Sequence, residues 1–289
     1  MIGTVQRILR PKSVDELLST LAELQGPRHL LAGGTDILVK AKDGKVAPGT
    51  WIDVWPLDEL RGVTAHDDRI DLGANVTMTD VERSPLLRAE ARALWDACYE
   101  AGAVQIRNRA TLGGNVANAS PAGDSIPALY SLGATVHLRS VRGERAVPIE
   151  ALFTGPGKTV IAPDEAIVRL SLPRVRGAVG AFLRLGQRKA QAISKVSAAA
   201  TATLGADLTV EAARVALGAV APTVVRAPEV ERLLAGRALE PGLMAEAGEL
   251  AASGVTPITD VRSTKVYRRE MVAVVVRRAL ASLVDRRRG

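Results

Sequence analysis

The chain has 289 residues, of which 47% are hydrophobic and 3% aromatic, and its formal net charge is +7. This length predicts two domains with substantial apolar cores, and no apolar run of about 18 residues is present to cross a membrane. Residues 260–289 hold nine Lys and Arg against three Asp and Glu, so +6 of the charge lies at one end. Because aromatic residues for base stacking are scarce, this end predicts a solvated helix rather than a nucleic-acid surface.

The first predicted elements lead to a glycine pair. Ser13 and Glu16 form a capping-box pattern that predicts the start of a helix, and Gly26-Pro27 ends it. Residues 29–32 then read as a short buried strand, followed by a turn at residues 33–36, Gly-Gly-Thr-Asp. For an isolated glycine pair, a tight turn is the favoured explanation, so this first glycine segment needs a second signal before it indicates a ligand site.

The second signal lies about eighty residues later, in the run TLGGNVANASPAGDSIPAL from Thr111 to Leu129. We predict a loop rich in hydroxyl and amide groups between the apolar segments 97–104 and 126–138. Glycine lets the backbone approach a ligand closely, and successive amide N–H groups can turn inward. Two such loops facing each other would cradle a diphosphate, and Asp124 could accept hydrogen bonds from ribose hydroxyls. The pattern therefore favours a dinucleotide.

Two common dinucleotide and phosphate motifs are excluded. The sequence Gly157-Lys158-Thr159 imitates the end of a P-loop, but the full pattern needs glycine at position 152, which is Leu152. Pro156 also removes one of the amides that such a loop would use. No G-x-G-x-x-G motif follows a predicted strand, so there is no Rossmann fingerprint. A dinucleotide would have to bind in another way, as two separated glycine segments allow.

Strands grouped before helices predict an α+β fold. We divide the chain into a first domain at 1–175, with subdomains 1–55 and 56–175, a C-terminal domain at 178–285, and a basic tail at 286–289. The predicted strands of the first domain after the glycine pair are 69–72, 135–138 and 167–172. The C-terminal domain is predicted to contain strands at 180–185, 198–206 and 208–217, then helices at 227–235, 240–252 and 261–284.

Several stretches, taken together and in order, carry a family resemblance. They are AGGTDILV at 32–39, QIRNRATLGGNVANASPAGDSIPALYSLGA at 105–134, and further matches at 153–159, 164–165, 183–195, 216–227 and 260–268. The chain resembles the FAD-binding, medium subunit of the molybdenum hydroxylases, which include xanthine dehydrogenase and carbon monoxide dehydrogenase. The resemblance covers essentially the full length, and AGGTD is nearer the xanthine dehydrogenase branch.

This resemblance implies a fold, a role and partners. The fold would be the FAD-binding fold of vanillyl-alcohol oxidase and p-cresol methylhydroxylase, followed by the family's α+β C-terminal domain. The chain would be an oxidoreductase subunit that passes electrons from 2Fe-2S clusters of a partner through FAD to NAD+ or another acceptor. Its partners would be a large molybdenum-pterin subunit and a small 2Fe-2S subunit, in a dimer of heterotrimers, with no nucleic acid and no membrane. Because the cofactor carries the redox chemistry, we name no catalytic acid, base or nucleophile.

The resemblance also implies the cofactor contacts. The two glycine segments would hold the diphosphate and ribityl hydroxyls. Asp124 would bind a hydroxyl group or order the second segment. Ile167 would lie against the adenine end of FAD and Ile193 against the flavin ring. For both isoleucines the alternative is an ordinary core position, and Gln191 stands where several relatives have Asp. The full predicted set is Leu31, Ala32, Gly33, Gly34, Thr35, Asp36, Ile37, Ala101, Thr111, Gly113, Gly114, Asn115, Asn118, Asp124, Ile167, Arg184 and Ile193.

Cysteine and histidine content limits other chemistry. Cys98 is the only cysteine, which leaves no internal disulfide, cysteine-based zinc site or iron–sulfur cluster on this chain, and we predict that it is buried. His29, His66 and His137 show no metal-ligand spacing. The N-terminal sequence lacks a signal-peptide pattern, so we expect a cytoplasmic protein.

Two other functions stay open. One is a stand-alone FAD-dependent oxidase or reductase of the same fold, and the other is a basic interaction module without flavin. Copurified partner subunits would exclude the first, and bound flavin would exclude the second. For Asp260, Arg262 and Tyr267-Arg268 we predict only a structural role, at the start of the last helix with local ion pairs.

Overall fold

The structure, a computed structural model, describes residues 4–288. It begins with a small parallel sheet in the order β1 (Val5–Leu9), β3 (Gly49–Asp53), β2 (Arg28–Leu31). The connections contain α1 (Val14–Glu23) and α2 (Ile37–Lys42). The first glycine segment lies between the end of β2 and the start of α2. It is therefore placed at the carboxyl end of a parallel strand at the edge of the sheet.

Helix α1 begins where the sequence predicts, but its cap is only half of a capping box. The Ser13 hydroxyl accepts from the Glu16 amide at 3.1 Å. The Glu16 carboxylate instead accepts from the Lys12 amide at 2.7 Å, one residue before the expected partner. Buried Leu17 and Leu21 then lie on the inner face of the helix, so helical spacing identifies the packed side.

A five-stranded antiparallel sheet forms the second layer. Its order is β4-β5-β10-β6-β7. A turn of 3-10 helix at Asp58–Leu60 precedes this sheet. Its strands are β4 (Val63–Ala65), β5 (Arg69–Gly73), β6 (Thr135–Ser140), β7 (Gly143–Pro148) and β10 (Ala166–Pro173). The central strand β10 follows a short hairpin, β8 (Phe153–Gly155) with β9 (Lys158–Thr159). All three strands predicted for this region are confirmed.

Between β5 and β6 the chain is helical. The helices are α3 (Met78–Arg83), α4 (Pro85–Glu90), α5 (Arg92–Glu100), α6 (Val104–Arg107), α7 (Leu112–Asn118) and α8 (Ser125–Ser131), and α9 (Ile149–Leu152) follows β7. The prediction of an open loop from Thr111 onward is wrong, because the Gly-Gly pair lies in the first turn of α7. Thr111 caps that helix by accepting from the Gly114 amide at 3.0 Å.

The C-terminal part is a four-stranded antiparallel sheet covered by helices. The strands are β11 (Val179–Leu185), β12 (Val196–Leu204), β13 (Val210–Gly218) and β14 (Val225–Arg226). The helices are α10 (Pro228–Leu234), α11 (Pro241–Ser253) and α12 (Lys265–Arg288). Residues 286–288, assigned to a tail from the sequence, continue α12. The α+β class is confirmed, since strands precede helices in this part as predicted.

The main hydrophobic core joins the two parts of the chain. Phe182 and Ala199 of the C-terminal sheet belong to the same buried cluster as Leu94 of α5. Asp96 of α5 accepts from the Phe182 amide at 3.2 Å and from Arg286 of α12 at 2.7 Å. Residues of the two predicted domains, 1–175 and 178–285, therefore share one apolar core and one buried carboxylate.

Cys98 is fully buried in that core, as the sequence predicts. Its thiol lies 3.3 Å from the Met78 sulfur, and burial raises the pKa of the thiol far above its usual value. Among residues 4–288, no helix combines the length and apolar character needed to span a membrane.

Candidate cofactor-binding site

A cleft of about 540 Å³ opens beside the first glycine segment. It lies between the parallel sheet, the start of α7 and the start of β10, and its volume is in the usual range of small-molecule sites. Twelve of the residues predicted from the sequence line it: Ala32, Gly33, Gly34, Thr35, Asp36, Ile37, Thr111, Gly113, Gly114, Asn115, Asn118 and Ile167. The two glycine segments thus share one cleft, although about eighty residues separate them in sequence.

The backbones of the two regions are in direct contact at Gly33. A β-carbon at this position would lie 1.7 Å from the carbonyl oxygen of Arg109, just before Thr111. Gly34 has a φ of 79°, which side-chain-bearing residues rarely adopt. Both glycines are therefore required locally, one for close approach of two backbones and the other for the turn after β2.

The first glycine segment offers a row of free donors. Within residues 4–288, none of the amide N–H groups from Gly33 to Ile37 meets a hydrogen-bond acceptor. The amides that precede and begin a helix have no acceptor within the helix, so they are open to water or to a ligand. Five successive unpaired amides at one rim of a cleft suit a ligand that supplies several acceptor oxygens, as a diphosphate does.

The second segment differs from the expectation of a matching row of free amides. The Gly113 amide donates to the Ala74 carbonyl at 2.9 Å, and the Leu112 amide donates to Val76 at 2.9 Å. The Gly114 amide is taken by the Thr111 hydroxyl. The Leu112 and Gly113 amides are therefore occupied, because the start of α7 is hydrogen-bonded to the segment after β5. This side of the cleft can contribute close backbone approach and the side chains of Asn115 and Asn118.

Charge in the cleft favours an anionic ligand. Arg28, Lys40 and Lys45 line it, against Asp36 and Glu165. Arg145 holds Glu165 with two bonds of 2.6 and 2.8 Å, and this guanidinium lowers the pKa of the carboxyl. The Lys40 ammonium donates to the Asn118 amide oxygen at 2.5 Å, which places one cation between the two glycine segments.

Sequence reasoning missed several lining residues, including Lys40, Asn75 and His29. Lys40 lies one helical turn after Asp36, so its position could have been read from the spacing. Asn75 is buried and donates to the Val54 carbonyl at 2.7 Å, an arrangement with no local sequence signal. The His29 ring nitrogen lies 2.9 Å from the Ala47 carbonyl oxygen.

Five predicted residues do not line the cleft: Leu31, Ala101, Asp124, Arg184 and Ile193. Leu31 packs against the Gly34 position. Asp124 has a side chain that is only 11% exposed and bonded to Arg184 and Ser194, and its removal from water raises its pKa to about 6. Of the two roles predicted for Asp124, these contacts fit the ordering of the second segment.

Comparisons with known proteins agree along the whole chain. Residues 4–175 match the family model described as the FAD binding domain in molybdopterin dehydrogenase, and residues 181–283 match the CO dehydrogenase flavoprotein C-terminal domain. The nicotinate dehydrogenase FAD-subunit of Eubacterium barkeri is 29% identical over 96% of both chains. The xanthine dehydrogenase FAD-binding subunit of Escherichia coli O157:H7 is 31% identical over 88% of both chains.

A solved structure extends the similarity to the fold. A chain of carbon monoxide dehydrogenase from Hydrogenophaga pseudoflava superposes with a TM-score of 0.94 at 29% identity, covering 99% of each chain. The family model covers more than half of this chain, and the solved structure covers nearly all of it. The chain therefore belongs to the FAD-binding, medium subunits of the molybdenum hydroxylase family, and it is a subunit of an oxidoreductase.

Proposed function

We propose that this chain is the electron-transfer subunit of a heteromeric molybdenum hydroxylase, carrying electrons from partner 2Fe-2S clusters to NAD+ or another acceptor. The observation that supports it is the row of unpaired amides from Gly33 to Ile37 at the rim of a cationic cleft. FAD is a dinucleotide whose diphosphate carries the anionic oxygens that such a row accepts. The amide row, the Gly33 contact and Lys40 therefore fit the cofactor that the family binds.

We propose that different residues of the cleft bind different parts of FAD. The Gly33–Ile37 amides and Lys40 would hold the diphosphate, and Asn115 and Asn118 would bond its hydroxyl groups. Ile167, only 8% exposed in the wall of the cleft, would pack against an apolar face and exclude water. FAD, when bound, supplies the redox chemistry by exchanging electrons in one- and two-electron steps. The protein's part is to bind, orient and shield it.

We further propose a large molybdenum-pterin subunit and a small 2Fe-2S subunit as partners, arranged as a dimer of heterotrimers in the cytoplasm. The single cysteine supports this division, because the chain cannot ligate a cluster by itself. Substrate oxidation would occur on the partner. The boundary between an FAD-binding domain at 1–175 and a C-terminal domain at 178–285 remains part of the same proposal.

The test is purification with the products of adjacent reading frames, followed by acid precipitation. Non-covalent FAD should appear in the supernatant at one per chain, because neither glycine segment contains a His or Cys that could form a covalent bond to the flavin. Iron and molybdenum should accompany the complex but not the isolated chain. Flavin without partner chains would favour the stand-alone oxidase or reductase, and no flavin at all would overturn both functions.

A further inference from the structure

Residues 186–195, which join β11 to β12, are called here the connecting loop. Its middle is exposed and has no regular secondary structure. Gln191 nevertheless has a φ of 50°, a left-handed conformation that non-glycine residues keep only when their surroundings hold them there. Its amide donates to the Gly102 carbonyl at 2.8 Å. Specific contacts therefore fix the loop despite its exposure.

One partly buried carboxylate, that of Asp124, is the centre of these contacts. It accepts from the Ser194 hydroxyl at 2.6 Å and from Arg184 Nη1 at 3.1 Å. The same guanidinium nitrogen donates to the Ala192 carbonyl at 2.6 Å, and Nη2 donates to the Glu100 carbonyl. Asp124 belongs to the second glycine segment, so it holds the end of the connecting loop from outside the loop.

The same cluster is adjacent to the cofactor cleft. Asn115 lines the cleft, and its amide oxygen accepts from the Ser125 hydroxyl at 2.7 Å. Ser125 directly follows Asp124 and begins α8. Asp124, which fixes the connecting loop, is therefore the sequence neighbour of Ser125, and Ser125 is hydrogen-bonded to the cleft-lining side chain of Asn115.

We propose that Asp124 is a positioning residue that fixes the connecting loop beside the cofactor cleft, acting through Arg184 and Ser194. The proposal rests on the proposed function, because the effect on the cleft is measured with bound FAD. The Arg184 side chain is only 4% exposed. If the Asp124 carboxylate is removed, the Arg184 guanidinium loses its closest acidic partner. Glu100 does not replace it, since its carboxylate lies 3.7 Å from Arg184 Nε and is 45% exposed.

The test compares Asp124→Asn and Ser194→Ala with Asp207→Asn in the full-length chain, with and without FAD. Asp207 is the control, because its carboxylate accepts from the Thr209 amide and hydroxyl within the turn between β12 and β13. Trypsin cleavage after the exposed Arg188 and Lys189 reports on the loop. The Kd for FAD and the pH profile of flavin fluorescence report on the cleft.

We expect both loop variants to be cleaved about tenfold faster and to bind FAD about tenfold more weakly, as loss of one hydrogen bond to a charged group predicts. The wild-type flavin emission should change as Asp124 titrates beside Arg184 and Glu100, and Asp124→Asn should lose that change. Asp207→Asn should match the wild type in every measurement.

Wild-type cleavage rates in folded Asp124→Asn and Ser194→Ala would overturn the proposal. So would faster cleavage with an unchanged Kd and flavin profile, because Asp124 would then affect the loop alone. If Asp124→Asn does not fold, Ser194→Ala decides. If the wild type binds no FAD, the proposed function fails, and cleavage of the cofactor-free chains still separates a fixed loop from a free one.

Discussion

Gly33 touches Arg109 backbone to backbone, so that any β-carbon on Gly33 would overlap the Arg109 carbonyl oxygen at 1.7 Å. This contact sets the spacing between the first glycine segment and the residues that lead into α7. It also explains why a glycine is needed there although Gly33 does not have a positive φ. At this point the two segments meet through backbone atoms rather than through side chains.

Gly33→Ala should separate these backbones and lower the FAD content of the folded chain. Overpacking of this kind costs about 1–3 kcal/mol. The free chain can relieve the overlap by moving the two segments apart, whereas FAD needs them together, so binding should weaken by roughly one to two orders of magnitude. Gly242→Ala is the control, because a β-carbon on this glycine in the first turn of α11 meets nothing within 4 Å. The measurement is FAD per chain after gel filtration. Equal FAD content in the two variants would contradict the role assigned to Gly33.

Gly114→Val should also reduce FAD content while leaving the chain folded. The new β-carbon would meet only the Thr111 hydroxyl at 2.8 Å, and the branched side chain lies on a residue that lines the cleft. Gly49→Val is the comparison, because a β-carbon there would lie 2.3 Å from the Pro27 carbonyl oxygen. The sequence Ala47-Pro48-Gly49 is typical of a turn, but Gly49 is the first residue of β3. We expect Gly49→Val to lower the melting temperature. Full flavin in folded Gly114→Val would place the site elsewhere.

Asp124 should make the stability of the chain depend on pH. Burial raises the pKa of Asp124 from 3.8 to about 6. The positive charge of Arg184 lowers this pKa, and the negative charge of Glu100 raises it further. A raised folded-state pKa means that the folded chain binds this proton more tightly than the unfolded chain. The associated stability is present below about pH 4 and is lost as the pH rises through 6.

The measurement is the free energy of unfolding in urea from pH 7 to pH 4. Wild type should gain stability relative to Asp124→Asn as the pH falls, by about 1.4 kcal/mol for each unit of pKa difference. Parallel pH profiles for the two proteins would show that Asp124 keeps its ordinary pKa.

Cys98 should be unreactive in the folded chain. Burial beside Met78 raises the pKa of the thiol, and the thiolate is the form that attacks disulfide reagents. An aromatic disulfide reagent should release no thiolate from native protein and one equivalent per chain in denaturant. Rapid reaction of the native protein would mean that α5 opens readily.

Local sequence patterns predicted the elements whose signals are local. Ser13 marks the start of α1, and Arg69–Gly73 and Val179–Leu185 are strands as expected. The second glycine segment could not be predicted in this way. Gly113 is helical and has an occupied amide because Ala74 supplies the acceptor, and that contact joins residues far apart in sequence. The family resemblance identified twelve of the residues that line the cleft, but not which amides are free.

The shared core has a practical consequence for anyone who wishes to express the FAD-binding half alone. A fragment that stops near residue 175 would lose Phe182 and Ala199 from the packing around Leu94. It would also leave Asp96 with Arg92 but without the Phe182 amide and Arg286. We therefore expect such a fragment to aggregate or misfold, because its packing depends on residues beyond the family boundary.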